Sequence, residues 1–199
     1  MLVKICGITN REDALAAVEF GAGALGFIFF PKSPRAASAD AVSEWIGEIP
    51  PQILRVGVYV NETPAVIDVN AAKLGLHVAQ LHGNETPQDH PAGVIWRALR
   101  VTGDAIPQAD YPADALLLDG PGGGQTFDWR LAADVVTRGR RVILAGGLTP
   151  ENVGQAIEAV RPWGVDTASG VEASPGRKDH ARMKQFIKTA LLSTGLSPK

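Results

Sequence analysis

Four side chains in this sequence are of types that do chemistry, and they stand where strand-like runs end. Cys6, the only cysteine among 199 residues, closes "LVKIC" directly before Gly7. Asp119 closes "ALLLD", His82 closes "HVAQLH", and Arg35 follows the second apolar run in "FPKSPRAAS". An ionised thiol is a base and a protonated carboxyl an acid. An imidazole serves either way, and a guanidinium grips carboxylates through paired N–H groups. Each has a plainer reading as well. Cys6 can be core filling, Asp119-Gly120 a turn, His82 a hydrogen-bonded support and Arg35 a solvated charge.

A second set of residues is suited to an anion. "AGGLTPENV" and "ASGVE" place Gly146, Gly147, Ser169 and Gly170 just after apolar runs, where backbone N–H groups can approach a phosphate without side-chain bulk. The loop "GPGGGQTF" (120–127) carries four glycines and can serve as a lid or as a simple connection. No His/Cys cluster has metal-ligand spacing, so neither a metal nor a cofactor is expected.

The elements that must position these groups are legible as a repeat. Strand candidates are 2–6, 24–29, 53–60, 77–82, "VIWRALR", 115–119, 141–146 and 164–169, and most gaps hold a helical pattern. Thr9 or Asn10 can cap the first helix, with Glu12 completing a capping box on Thr9. Ser38 is a cap candidate, and Thr63-Pro64 and Thr149-Pro150 are N-terminal signals. The last helix carries a stripe of Met183, Phe186, Ile187 and Leu191. Prolines 87, 91, 107 and 112 argue for short or irregular connections after the fourth and fifth strands. Eight strand-then-helix units without a linker predict one (β/α)8 TIM barrel domain over 1–199, near the lower size limit of that α/β fold. An open doubly wound sheet is disfavoured because no glycine-rich dinucleotide loop follows the first strand.

In such a barrel the reactive site forms at the C-terminal strand ends, with phosphate commonly held after strands 7 and 8. Strand alternation turns Val3 and Ile5 outward and Lys4 and Cys6 inward, and it turns Leu117 and Asp119 inward on the sixth strand. The same reasoning places Lys4, Arg55, Arg97 and Asp166 inside the barrel as a structural ion network. The expected ligand is a small phosphate ester.

The bulk properties exclude other classes. Nineteen basic against 21 acidic residues give a net charge of −2 with no basic block, which argues against nucleic acid and anionic membranes. "ALGFIFF" is far too short to span a membrane before Pro31 stops it. A lone cysteine and no signal-like start give a cytoplasmic default, as monomer or homodimer.

Several stretches, in order along nearly the whole chain, carry a resemblance: "KICGIT" (4–9), "GFIFFPKSPR" (26–35), "RVGVYVN" (55–61), "QLHG" (80–83), "LLLDG" (116–120), "TFDW" (126–129), "GGLTPENV" (146–153) and "SGVEASPGRKD" (169–179). The sequence resembles the phosphoribosylanthranilate isomerase family. The resemblance implies an Amadori rearrangement in tryptophan biosynthesis, from N-(5-phosphoribosyl)anthranilate to 1-(o-carboxyphenylamino)-1-deoxyribulose 5-phosphate. It implies Cys6 as general base, Asp119 as general acid and Arg35 as the group that holds the anthranilate carboxylate. His82 joins Arg35 among the substrate-binding candidates, and Gly146, Gly147, Ser169 and Gly170 fall on the phosphate loops. Ala168 departs from the serine often found there, at the cost of one side-chain contact near the phosphate. The competing readings are a non-catalytic sugar-phosphate-binding barrel and a Schiff-base aldolase, the latter disfavoured because no lysine ends a strand at the mouth.

Overall fold

The computed structural model describes residues 1–193 of the chain; the expected domain span of 1–199 ends in six residues that lie outside the described ones. β1 (Leu2–Cys6), β2 (Ala24–Ile28), β3 (Leu54–Tyr59), β4 (Val78–Leu81), β5 (Val94–Arg100), β6 (Ala115–Asp119), β7 (Val142–Leu144) and β8 (Gly164–Thr167) pair in parallel and in chain order. β8 returns to β1, so the sheet closes as an eight-stranded barrel and leaves no edge. The predicted TIM barrel is the observed fold.

Alternation along the strands makes two cores. Val3, Ile5, Leu25, Phe27, Leu116 and Leu118 face outward and pack on the helices, against Ala14, Ala17, Met183 and Phe186 among others. Cys6, Ala24, Val56, Val58, Trp96, Ala98 and Leu117 fill the interior, mixing large and small side chains as a barrel of this size requires. Complete burial of a side chain such as Phe186 contributes roughly 2–3 kcal/mol, and the outer core holds many of them.

Helices cover the wall unevenly. They are α1 (Arg11–Glu19), α2 (Ala39–Ser43), α3 (Pro64–Leu74), α4 (Trp129–Thr137), α5 (Val153–Val160) and α6 (His180–Leu192). After β4 there is only one 3-10 turn at Pro87–Asp89, and the segment after β5 contains no helix, as the prolines there require. The α6 stripe buries Met183, Phe186 and Ile187, with Ala190 rather than Leu191 as its fourth fully buried member.

The helix start signals resolve one by one. Asn10, not Thr9, caps α1: its Oδ1 accepts from Asp13 N at 2.9 Å, while the Thr9 hydroxyl donates to the Gly176 carbonyl. Ser38 occupies the cap position of α2 without a side-chain hydrogen bond, whereas Thr63 caps α3 as expected. Thr149-Pro150 opens a turn and not a helix. α5 begins only at Val153, because Asn152 closes that turn by accepting from Thr149 N and donating to the Gly147 carbonyl.

Two of the four predicted interior charges are outside. On β3 the inward positions are Val56 and Val58, so Arg55 faces outward, where Nη2 donates to the Ile49 carbonyl. On β5 the inward positions are Trp96 and Ala98, so Arg97 faces outward against Glu85, the Gly83 carbonyl and the Tyr111 ring. The prediction assumed an apolar outer face everywhere. Where no helix covers β5, a polar loop supplies Glu85 as the partner. Lys4 and Asp166 do lie inside, paired at 2.7 Å.

Candidate active site

A cavity of about 230 Å³ opens at the C-terminal strand ends, and Cys6, Arg35, Gln80, His82, Asp119 and Ser169 all line it. Chain order scatters these residues, and barrel closure gathers them. β1 brings Cys6, β4 brings Gln80 with His82 one residue past its end, and β6 brings Asp119.

The β1 flank is held by charge. Cys6 is buried, and its carbonyl accepts a 2.7 Å hydrogen bond from Lys178 Nζ. Lys178 belongs to a hairpin of β9 (Glu172–Ser174) and β10 (Arg177–Lys178) that follows β8 and folds over the mouth. Its ammonium also donates to the Ala168 carbonyl and to Glu172 Oε1, the latter at 2.9 Å. Glu172 in turn accepts from Arg35 Nε at 2.8 Å and from Nη2 at 2.7 Å, a two-pronged pair. Arg35 is therefore no solvated charge; it lies in the site, oriented by a carboxylate 137 residues away. Asp13 anchors the hairpin from beneath by accepting from Lys178 N and contacting His180 Nε2 at 2.8 Å.

These contacts move the local proton equilibria. Burial pushes the Cys6 thiol up, against the pull of Lys4 and with the help of Asp166. Burial pushes Lys178 down, and Glu172 restores part of its charge. Burial works to raise Glu172, but the Arg35 hydrogen bonds and Lys178 outweigh it and hold the carboxyl below the usual glutamate range.

The β4–β6 flank is open by comparison. His82 Nε2 stands 3.5 Å from Asp119 Oδ2, too far for a good hydrogen bond, and it has no other partner among the described residues. His82 thus sits beside Asp119 without the hydrogen bond expected of a support. Gln80 Oε1 is likewise buried without a partner. The loop Gly122–Gln125 lies along the same cavity.

Gly146, Gly147 and Ser169 line the cavity and Gly170 does not. Part of the glycine requirement here is packing. Gly146 has φ +79°, and a Cβ on it would meet Gly120 N at 2.0 Å, so the loops after β6 and β7 touch backbone to backbone. A Cβ on Gly170 would meet the Leu148 carbonyl at 2.0 Å, so this residue joins the loops after β7 and β8.

A larger groove of about 800 Å³ shares His82 but runs past Arg97, whose Nη1 donates to the Glu85 carboxylate, and Tyr111, whose hydroxyl donates to the Glu85 carbonyl. Cys6 and Asp119 do not line it; the two residues meet only in the smaller cavity.

Sequence reasoning left out Glu172, Lys178 and Gln80. Their signals were a charged pair bracketing "ASPGR" after the last strand and an amide at an inward strand position.

Comparison with known proteins gives a consistent result. The family model described as N-(5'phosphoribosyl)anthranilate (PRA) isomerase matches residues 3–189. A relative from Trichlorobacter lovleyi, named N-(5'-phosphoribosyl)anthranilate isomerase, is 45% identical over 94% of this chain and 97% of its own. A crystal structure of phosphoribosyl anthranilate isomerase in complex with reduced 1-(o-carboxyphenylamino)-1-deoxyribulose 5-phosphate superposes with a TM-score of 0.87 at 43% identity, covering 98% of this chain and 100% of that one. A structure of monomers generated from the dimeric Thermotoga maritima enzyme gives 0.86 at 43% identity, with the same coverage.

Proposed function

The chain belongs to the N-(5'-phosphoribosyl)anthranilate isomerase family, and from that membership we propose how its barrel mouth divides the work. The reaction is the isomerisation of N-(5-phosphoribosyl)anthranilate to 1-(o-carboxyphenylamino)-1-deoxyribulose 5-phosphate in tryptophan biosynthesis. The observation that carries the assignment is one cavity faced by Cys6 from β1 and by Asp119 from β6, with β7 and β8 between them in the wall.

Asp119, carrying its proton, delivers it to the ribose ring oxygen. The C1–O bond breaks while the nitrogen lone pair closes on C1, which leaves a protonated Schiff base. Cys6, after its thiol has released its proton to solvent, then removes the proton from C2 as a thiolate. The C–H electron pair becomes a C1=C2 bond, and the C=N pair returns to nitrogen. The resulting enolamine becomes the ketone by losing its hydroxyl proton and gaining one at C1. Arg35, held through Nε and Nη2 by Glu172, presents its remaining Nη1 to the anthranilate carboxylate. His82 and Gln80 contact the sugar hydroxyls, and the backbone around Gly146, Gly147, Ser169 and Gly170 takes the phosphate. Ala168 supplies no hydroxyl there.

The reading extends to a cytoplasmic enzyme working as monomer or homodimer, with a small phosphorylated molecule as ligand and no nucleic-acid or membrane partner. Its net charge of −2 supports that, as does the absence among the described residues of any helix long and apolar enough to cross a membrane. A non-catalytic sugar-phosphate barrel is disfavoured because it would have no use for an acid and a base in one cavity.

The test is loss of phosphoribosylanthranilate fluorescence on adding purified variants. Cys6→Ser and Asp119→Asn should each lower kcat by about 10²–10⁴ while substrate still binds. Wild-type turnover in either variant removes that residue from its role.

A further inference from the structure

Acid–base chemistry between Cys6 and Asp119 makes no use of the ion pair buried inside the barrel. Lys4 is fully buried on the same inward face of β1 as Cys6, two residues before it. Its Nζ donates a 2.7 Å hydrogen bond to Asp166 Oδ1, and the two residues are register partners across β1 and β8. The same ammonium shares the barrel interior with the Cys6 sulfur, close enough for the two to interact electrostatically. Gly26, register partner of Cys6 on β2, makes the room: a Cβ there would stand 2.8 Å from Cys6 Sγ and 3.0 Å from Lys4 Nζ. A buried ion pair adds little stability over apolar side chains of the same volume. Its position under the chain's one thiol therefore calls for a reason other than stability.

We infer that the Lys4–Asp166 pair sets the ionisation of Cys6, with Lys4 holding the thiolate once it forms and Asp166 limiting that hold. Lys4 is thus a positioning residue that acts through the sulfur, and the inference rests on Cys6 being the base. The sign of each contribution follows from charge. An ammonium beside a thiolate lowers its energy, and a carboxylate nearby raises it. The other groups facing the sulfur are Lys178 from β10, which favours the thiolate, and Arg35 from the loop after β2. Asp119 and His82 line the same cavity from the β6 and β4 side.

Because the chain has one cysteine, its titration can be read without interference. Ultraviolet thiolate absorbance and the rate of iodoacetamide alkylation, both followed against pH, give the midpoint directly. Lys4→Met should raise that midpoint by about one pH unit or more, and Asp166→Asn should lower it. The basic limb of the kcat/KM profile should move with each. Midpoints that stay put, or that move the same way in both variants, overturn the inference. If Lys4→Met fails to fold, Asp166→Asn decides alone, and an unchanged or raised midpoint there is fatal. Cys6→Ser kinetics read the base assignment separately. Normal turnover in that variant, with midpoints still moving in opposite directions, would end the base role while leaving the ion pair in control of the thiol.

Discussion

The two flanks of the cavity are built on opposite plans. On the β1–β8 side nearly every polar group is engaged: Lys178 with Glu172, Glu172 with Arg35, Lys4 with Asp166, Asp13 with the hairpin. On the β4–β6 side His82 Nε2 and Gln80 Oε1 have no hydrogen-bond partner among the described residues, and a run of glycines flanks Asp119. The difference matches the two tasks proposed for Cys6 and Asp119. A base that must meet one carbon-bound proton gains from being held in place before substrate arrives. An acid and its polar neighbours can be completed by the sugar itself, whose hydroxyls supply the missing hydrogen bonds.

The sharpest way to break this contrast is at Glu172. Glu172→Gln removes the carboxylate shared by Arg35 and Lys178, whose side chains are 21% and 0% exposed, and leaves a buried ammonium uncompensated. The expected cost is about 3 kcal/mol, read as a lower urea midpoint. KM should rise about tenfold as the Arg35 fork loosens, with kcat less affected. A variant as stable as the wild type would mean that the β1 flank is not held by charge.

The same contrast marks what the sequence made legible. Cys6, Asp119 and the barrel could be read because alternation works where the outer face is apolar, as on β1 and β6. It failed at Arg55 and Arg97, outward residues whose partners come from loops. Glu172 and Lys178 were hidden for a related reason. Their partners, the Cys6 carbonyl and the Arg35 guanidinium, are 172 and 137 residues away, and only the fold of the β9–β10 hairpin over the mouth brings them together. Gln80 announced itself only as an amide on an inward strand position, and alternation gives its facing but not its missing partner.

Gln80 tests the open flank. Gln80→Leu replaces an amide whose Oε1 has no partner by an apolar side chain of similar size. Stability should hold or rise slightly, since an unsatisfied buried acceptor is removed. kcat/KM should still fall about tenfold, the equivalent of one lost hydrogen bond to substrate. A loss of stability like that of Glu172→Gln would show that the β4 side is as firmly held before binding as the β1 side, and the contrast would fail.

The smallest effect concerns the base flank at alkaline pH. Burial raises the Cys6 thiol in the folded chain, so the folded state keeps a proton that the unfolded state gives up. Below an ordinary thiol value of about 8.5 both states are protonated and this difference contributes its full share of stability. As pH rises through the window above that value, the unfolded state ionises first and the folded state loses ground. Between neutral pH and a pH about one unit above the ordinary thiol value, the wild type should therefore lose about 1 kcal/mol relative to Cys6→Ser, whose hydroxyl does not titrate there. Parallel urea midpoints measured across that range make the comparison. Curves that stay parallel would mean that the thiol ionises as readily in the cavity as in water, and burial would not be what raises it.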